Sequence, residues 1–347
     1  MLGRWTQIAR TLMQVVLAFT VICASLYLLA LDTLDRIKAA PPSSETRAMP
    51  VSELQLWALW PVIQVLPMHQ PHAEARPGRT FQDCDTCPEM VELPPAHVLI
   101  GSPMIETERF THLRFPRSLR QKLRHSNREG ARRVVTLPRA FAISRFELTR
   151  GEWLTAQSDP DWEAITGLPA RPASAHAFDG MNEGERSPQL NLDWDDGAAY
   201  ARWLSATTGQ TYRMPTEVEW EYAARAGSTS AFSWGDQVGS DLAACSGCGG
   251  AHDSTAPPEV GTYDPNAFGL YDMHGSAWEW TLDCFRPFYS SQNNSGGFHD
   301  KPDCQYRTVR GGSWQESPWQ MRSAMRVGPH YYNRNEGTSL RLVREFP

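Results

Sequence analysis

The sequence predicts an α+β domain of short strands, two helices and much irregular chain, carried behind one N-terminal transmembrane helix. Three observations lead there. An uncharged run of twenty residues stands near the N terminus. Only two later stretches carry helix start and stop signals. The remaining apolar residues fall in brief alternating runs broken by Pro and Gly.

The uncharged run covers residues 12–31 (LMQVVLAFTVICASLYLLAL), long enough as a helix to cross ~30 Å of hydrocarbon. Arg4 and Arg10 precede it, whereas Asp32, Asp35, Arg36 and Lys38 cancel behind it. That asymmetry places the short N-terminal tip in the cytoplasm and the rest on the exported, periplasmic side, as a single-pass inner-membrane protein. The alternative is a cleaved signal peptide, but its apolar region usually runs about 7–15 residues and ends at a small-x-small site, which does not follow Leu31. Cys23 is no lipidation site, since Ile22 precedes it where a small residue belongs. Residues 1–38 are therefore the tip and anchor.

Residues 39–80 form a juxtamembrane segment and linker. The stretch 39–50 (AAPPSSETRAMP) is Pro/Ser-rich and lacks apolar surface to order itself. Leu56, Leu59, Trp60, Ile63 and Leu66 recur at helical spacing around Pro61. They fit either an interfacial segment on the bilayer or a piece packed on the domain. A second spacer over 67–80 contains His69 and His72 without a third ligand nearby, so the folded domain is expected over 81–347.

Within it, residues 89–101 and 132–149 are rich in Val, Ile and Phe and read as strands interrupted by Pro. A helix is expected over 193–208, with acids in its first turn and Gly209 as its stop. A second follows in TEVEWEYAARAG, with a Thr216/Glu219 capping box, a Glu221/Arg225 pair four apart and Gly227 at its end. Residues 228–264 form a Gly-, Pro- and Ser-rich loop of a length that is uncommon unless functional or pinned. Further short strands are expected over 277–282, 306–314, 321–326 and 339–343.

The composition, 41% hydrophobic and 21% charged over 347 residues, allows a sizeable core. A net charge of −6 and a pI near 5.9 exclude the usual nucleic-acid binder, which shows a basic stripe. The basic cluster around Arg117, Arg120, Lys122, Arg124, Arg128 and Arg132 has few interleaved aromatics and reads as a solvated loop. Thirteen Trp suit either an irregular domain or one that binds peptides or glycans.

Six cysteines lie beyond the anchor: Cys84, Cys87, Cys245, Cys248, Cys284 and Cys304. An even number on the oxidising side points to disulfides. A Cys284–Cys304 bridge would close a polar, Gly-rich loop at its base. The two Cys-x-x-Cys units admit a four-thiolate zinc site or a redox pair as alternatives, and three disulfide pairings are open among their four cysteines.

Five segments occur in order: FAISRFELTRGEW, YRMPTEVEWEYAARAG, NAFGLYDMHGSAWEW, RTVRGGSW and GTSLRLVR. Together they resemble the formylglycine-generating enzyme, or sulfatase-modifying factor, family, whose domain shares the C-type-lectin-like fold. The resemblance implies oxygen-dependent oxidation of a sulfatase cysteine by a copper(I) ion on two enzyme cysteines, three and eight residues beyond the Ser of the GGS segment. Here Ser313 is present, but those offsets fall on Glu316 and Met321, in a loop about three residues shorter, and no Cys follows Cys304. A carboxylate and a thioether do not replace two thiolates, so copper and formylglycine formation are not expected and no residue is assigned as catalytic. The resemblance also implies structural calcium at a Gly-Asn-x-Trp-Glu turn. This chain has Gly275-Ser276-Ala277-Trp278-Glu279 there, so that Ser276, Ala277 and Glu279 either hold one calcium or leave Glu279 to hydrogen-bond a buried turn. A second calcium site is expected lost at Ala243-Ala244-Cys245. His274 beside the turn reads as a packed, hydrogen-bonding residue. The His-x3-His-x-Glu helix of related iron-dependent sulfur-oxidising enzymes has no match in this sequence. The expected function is thus a membrane-anchored envelope module that holds a peptide, glycan or envelope protein, the alternatives being a diverged metal-dependent oxidoreductase or a true formylglycine-generating oxidase.

Overall fold

The computed structural model describes residues 78–103, 129–130, 132–171, 184–250, 256–286 and 303–347, and the backbone of 47–50. The transmembrane run, His69/His72 and most of the basic cluster lie outside the described residues. Among the described residues no helix is long and apolar enough to cross a membrane.

Chain order is β1 (Arg47–Pro50), β2 (Thr80–Phe81), β3 (Met90–Leu93), β4 (Ala96–Ile100), β5 (Arg133–Leu137), β6 (Phe141–Ser144), then three helices, α1 (Arg150–Gln157), α2 (Trp162–Thr166) and α3 (Trp194–Thr208). Next come β7 (Tyr212–Arg213), α4 (Glu217–Arg225), β8 (Trp278–Cys284), β9 (Arg307–Arg310), a 3-10 turn (Pro318–Met321), β10 (Arg326–Val327), β11 (Thr338–Ser339) and β12 (Val343–Glu345). They form three small sheets in the orders β1-β5-β4, β2-β3-β6-β12-β7 and β10-β9-β8-β11. All pairs are antiparallel except β11 with β8. The β12 strand pairs with β6 and β7, which makes it an interior strand of the five-stranded sheet.

Local chemistry accounts for the elements that the sequence announces. Pro94 and Pro95 separate β3 from β4, and Pro138 lies between β5 and β6, as expected of a residue without a backbone donor. Helix α3 starts at a capping box in which Asp193 and Asp196 satisfy each other's backbone N–H, and Gly209 ends it in the left-handed conformation. Helix α4 starts at the Thr216/Glu219 box, but its left-handed cap is Ala226, one residue before the expected Gly227.

Three expectations are corrected. Arg47–Pro50, inside the stretch read as spacer, pairs with β5, whose free edge supplies the partners. The strand expected over 321–326 is instead the end of the 3-10 turn and the start of two-residue β10, because Pro318 opens a tight turn there. Helices α1 and α2 were not anticipated. Of the two roles open to the Trp residues, those among the described residues serve mainly as core. Trp153 and Trp162 meet edge to face at 5.6 Å beside Tyr200 and Trp203, in a cluster under α1, α2 and α3. A second cluster joins β3 to β6 with Trp220 and Tyr222 of α4.

The long loop over 228–264 has its own small core. Ala231, Phe232, Ala243, Cys245, Cys248 and Met321 are buried together, which answers what pins a segment with so little regular structure.

Candidate functional site

The turn after Asp272 is tight enough to decide its own chemistry. Gly275 has φ +87°, and a Cβ there would lie 2.1 Å from the carbonyl oxygen of Ala244. Only glycine allows that approach. The Gly275 N–H donates to Gly311 O, Ser276 N–H to Ala244 O, and Trp314 N–H to Ser276 O, which ties the turn to both the 243–248 loop and the RGGSW segment.

The residues expected to hold calcium are engaged otherwise. Ser276 Oγ donates to Glu147 Oε2 (3.1 Å) and Ala277 N–H to Glu147 Oε1 (2.9 Å). Arg341 donates from Nε (2.6 Å) and Nη2 (2.7 Å) to the two oxygens of Glu279, and Trp220 Nε1 adds a third donor at 2.6 Å. Glu279 and Arg341 are both fully buried. The cation opposite Glu279 is a guanidinium, so the set Ser276, Ala277 and Glu279 does not fit calcium, which needs six to eight oxygens free to face one ion. Burial and the charges of Asp272 and Glu279 push the Glu147 carboxyl well above its usual range, and burial raises Asp272 to about 6. Among the described residues no group of three or more His, Cys, Asp or Glu side chains is arranged to hold a metal.

The three residues at the position of the family's copper pair are brought together only in part. Ser313 is buried, and its carbonyl accepts from Glu316 N–H (3.0 Å). Glu316 is partly exposed and its carbonyl accepts from Ser246 N–H (2.8 Å). Met321 points the other way, into the small core, with Sδ 3.7 Å from Cys248 Sγ. Gly312 makes room for it, since a Cβ at 312 would stand 2.9 Å from Met321 Cα.

His274 packs above Met321. Because a carbonyl only accepts, Nδ1 carries the proton and donates to Met321 O (2.7 Å), while Nε2 accepts from Ser233 N–H (3.1 Å). Burial lowers its pKa to about 4, so the ring is neutral near pH 7 with both nitrogens occupied. That matches a packed hydrogen-bonding residue.

All six described cysteines are in disulfides: Cys84–Cys87, Cys245–Cys248 and Cys284–Cys304. The two Cys-x-x-Cys units each close on themselves and belong to different core clusters, which removes the four-thiolate zinc alternative. The Cys284–Cys304 bridge spans 20 residues, as expected.

One concavity stands out that sequence reasoning did not locate. A cleft of about 520 Å³ lies between the 233–242 loop and the 262–267 loop, with Trp234, Asp241, Leu242, Tyr263 and Asp264 around it. A narrow recess leads from it to Asp272, Met273 and His274. Trp234 stacks on Phe232 (5.0 Å between centroids, 4° between planes) and meets the edge of His274 at 4.9 Å. It is 36% exposed. Asn266 fixes the opposite wall: its amide donates to Ala223 O at the end of α4, and its Oδ1 accepts from Phe268 and Leu270 N–H. The available signal was a lone Trp and a lone Tyr inside an overlong loop, which names a region but not a cavity.

Residues 77–346 match the family model described as Sulfatase-modifying factor enzyme 1-like domain. Among curated proteins, the chain is 36% identical over 139 residues to the formylglycine-generating enzyme of Streptomyces coelicolor, covering 37% of this chain and 42% of that protein. It is 30% identical over 241 residues to the hercynine oxygenase of Mycolicibacterium smegmatis, covering 60% and 54%. The chain thus spans about half, or less, of the length of these curated relatives. Among solved structures it is similar to PvdO from Pseudomonas aeruginosa, with 32% identity and a TM-score of 0.63, over 79% of this chain and 100% of that one.

Proposed function

The chain belongs to the sulfatase-modifying factor enzyme 1-like family, and from that premise we propose that it is a membrane-tethered envelope module that binds a peptide-like partner in the Trp234–Tyr263 cleft and forms no formylglycine. The observation that carries this is the fate of the two expected thiolate positions. One is Glu316, held by its backbone in a partly exposed turn, and the other is Met321, buried against the Cys245–Cys248 disulfide. Neither supplies a thiolate, and the two sulfurs beside Met321, those of Cys245 and Cys248, are tied to each other in a disulfide and are not the soft thiolate pair that copper(I) chemistry needs. Meanwhile the cleft offers an open aromatic face and polar rim of the size that small-ligand sites usually have, about 300–1,000 Å³.

A second reading has a specific observation in its favour. The match to hercynine oxygenase covers 60% of the chain, against 37% for the formylglycine-generating enzyme, which favours an oxidoreductase that uses other metal ligands. One preparation discriminates the two. The full chain, purified in detergent and incubated with a sulfatase-motif peptide, oxygen and copper, is expected to give no aldehyde by mass spectrometry. Its elemental analysis should find no stoichiometric copper, iron or zinc. Appreciable formylglycine, or a stoichiometric transition metal, would overturn the binding-module proposal in favour of catalysis.

A further inference from the structure

The cleft is one-sided in charge. Among the described residues its lining contains Asp241 and Asp264 and neither Lys nor Arg. Both carboxylates are exposed, and among the described residues neither accepts a hydrogen bond or joins an ion pair. Carboxylates that stabilise the fold elsewhere in this protein are saturated with donors: Glu219 takes two from Arg213 and Glu279 three from Arg341 and Trp220. The two in the cleft have no such donors and face the open space between the loops.

Asp241 is also held in a conformation that L-residues adopt rarely. Its φ is +60°, and its N–H donates to Cys248 O (3.0 Å), so the Cys245–Cys248 turn fixes it. Gly250 gives its carboxylate space, because a Cβ there would meet Oδ1 at 2.0 Å. Across the cleft, Trp234 has one ring face covered by Phe232 and its Nε1–H used by Gln237 O (2.9 Å). What remains for a ligand is the exposed part of the ring, 36% of the residue, beside the His274 contact, on an aromatic system that is negative over its face. The floor adds no opposing charge, since His274 is neutral with both nitrogens bonded.

We propose that this cleft receives a cationic side chain, an ammonium or guanidinium, from a partner peptide, with its alkyl stem on Leu242 and Trp234 and with Asp241 and Asp264 as counter-charges. The inference rests on the binding-module proposal for the same cleft and specifies the chemistry of its ligand. An anionic ligand would face two like charges. A neutral apolar one would gain nothing from them. A cation on an aliphatic stem uses the aromatic face, the apolar wall and both charges at once.

The test uses the full chain in detergent and three capped residues: N-acetyl-lysine methylamide, its neutral isostere N-acetyl-norleucine methylamide, and N-acetyl-glutamate methylamide, titrated by ligand-detected NMR. At low salt the lysine probe is expected to bind roughly tenfold tighter than the norleucine probe, and the glutamate probe not measurably. The preference should shrink at high salt and vanish in Asp241→Asn/Asp264→Asn, whose melting temperature should stay unchanged because both acids are exposed. Should the double variant melt lower, Asp264→Asn alone, which leaves the φ +60° turn untouched, must still reduce the preference. Equal binding of lysine and norleucine, or a lysine preference that survives both substitutions, overturns the cationic ligand and leaves the binding module standing. Failure of all three probes to bind overturns both.

Discussion

His274 illustrates how far a single side chain can be taken. Its neutral form is specified by a donor, Ser233 N–H, and an acceptor, Met321 O, on two different loops. Burial sets its folded pKa at about 4, below the ordinary value of 6.5. Between those two values the unfolded chain binds the proton and the folded chain does not, so the stability contributed by the neutral ring is complete above pH 6.5 and is lost as the pH falls towards 4. Comparing wild type with His274→Phe by urea unfolding, the difference in unfolding free energy should shift against wild type by up to about 3 kcal/mol from pH 7 to pH 4. Asp272, raised to about 6, acts in the opposite sense, but it is common to both proteins and cancels in the difference. A pH-independent difference would remove the buried neutral imidazole from the account.

At the scale of elements, the capping boxes are the clearest case of local code. Thr149 and Glu152 cap α1 by the same reciprocal bonds that Thr216 and Glu219 make at α4. The sequence T-x-x-E occurs at both places, but after the Val- and Phe-rich run FELT reads as the end of a strand. Thr149→Ala should cost on the order of 1 kcal/mol in chemical denaturation, since α1 carries Trp153 and Ala156 into the core. A loss within experimental error would mean that packing alone holds the helix. In α4 the capping box was legible while the use of its acids was not. Glu217 pairs with Arg326 (2.7 Å), Glu219 with Arg213, and Glu221 with Arg310 and Arg225, all at buried or half-buried positions. A helix with acids at every second position reads as solvated, and only the arrival of three arginines from β7, β9 and β10 makes it an interior element. Desolvation offsets most of the attraction within such buried pairs, so they add little net stability for their number.

For the whole molecule, small sheets and long loops leave the chain dependent on cross-links and on its C terminus. The Cys284–Cys304 bridge ties the end of β8 to the lead into β9, the pair that centres the four-stranded sheet. Replacing both by Ser should lower stability by about 3 kcal/mol, read by reversible unfolding with the other bridges intact. A loss well under 1 kcal/mol would show that the loop is already restrained by its contacts. The order β2-β3-β6-β12-β7 places β12 between β6 and β7, so removal of the last few residues would detach β7 from that sheet and leave β6 without its partner on that side.

What the sequence by itself determined is whatever is encoded within a few residues: capped helices, Pro-bounded strands, an even set of cysteines, the ordered family motifs, and the lack of any thiolate after Cys304. The tertiary structure alone decided which distant residues meet. In the sequence Glu279 reads as a ligand-type carboxylate, but Arg341, 62 residues on, folds against it and neutralises it. Met321 was placed at a vacant metal position by counting, yet its side chain turns to Cys248, 73 residues away. The Trp234 cleft exists because Asn266 braces one wall and a disulfide turn the other. Contacts of that kind depend on the path of the backbone between the partners, which two-residue strands and glycine turns leave without any local periodicity to read.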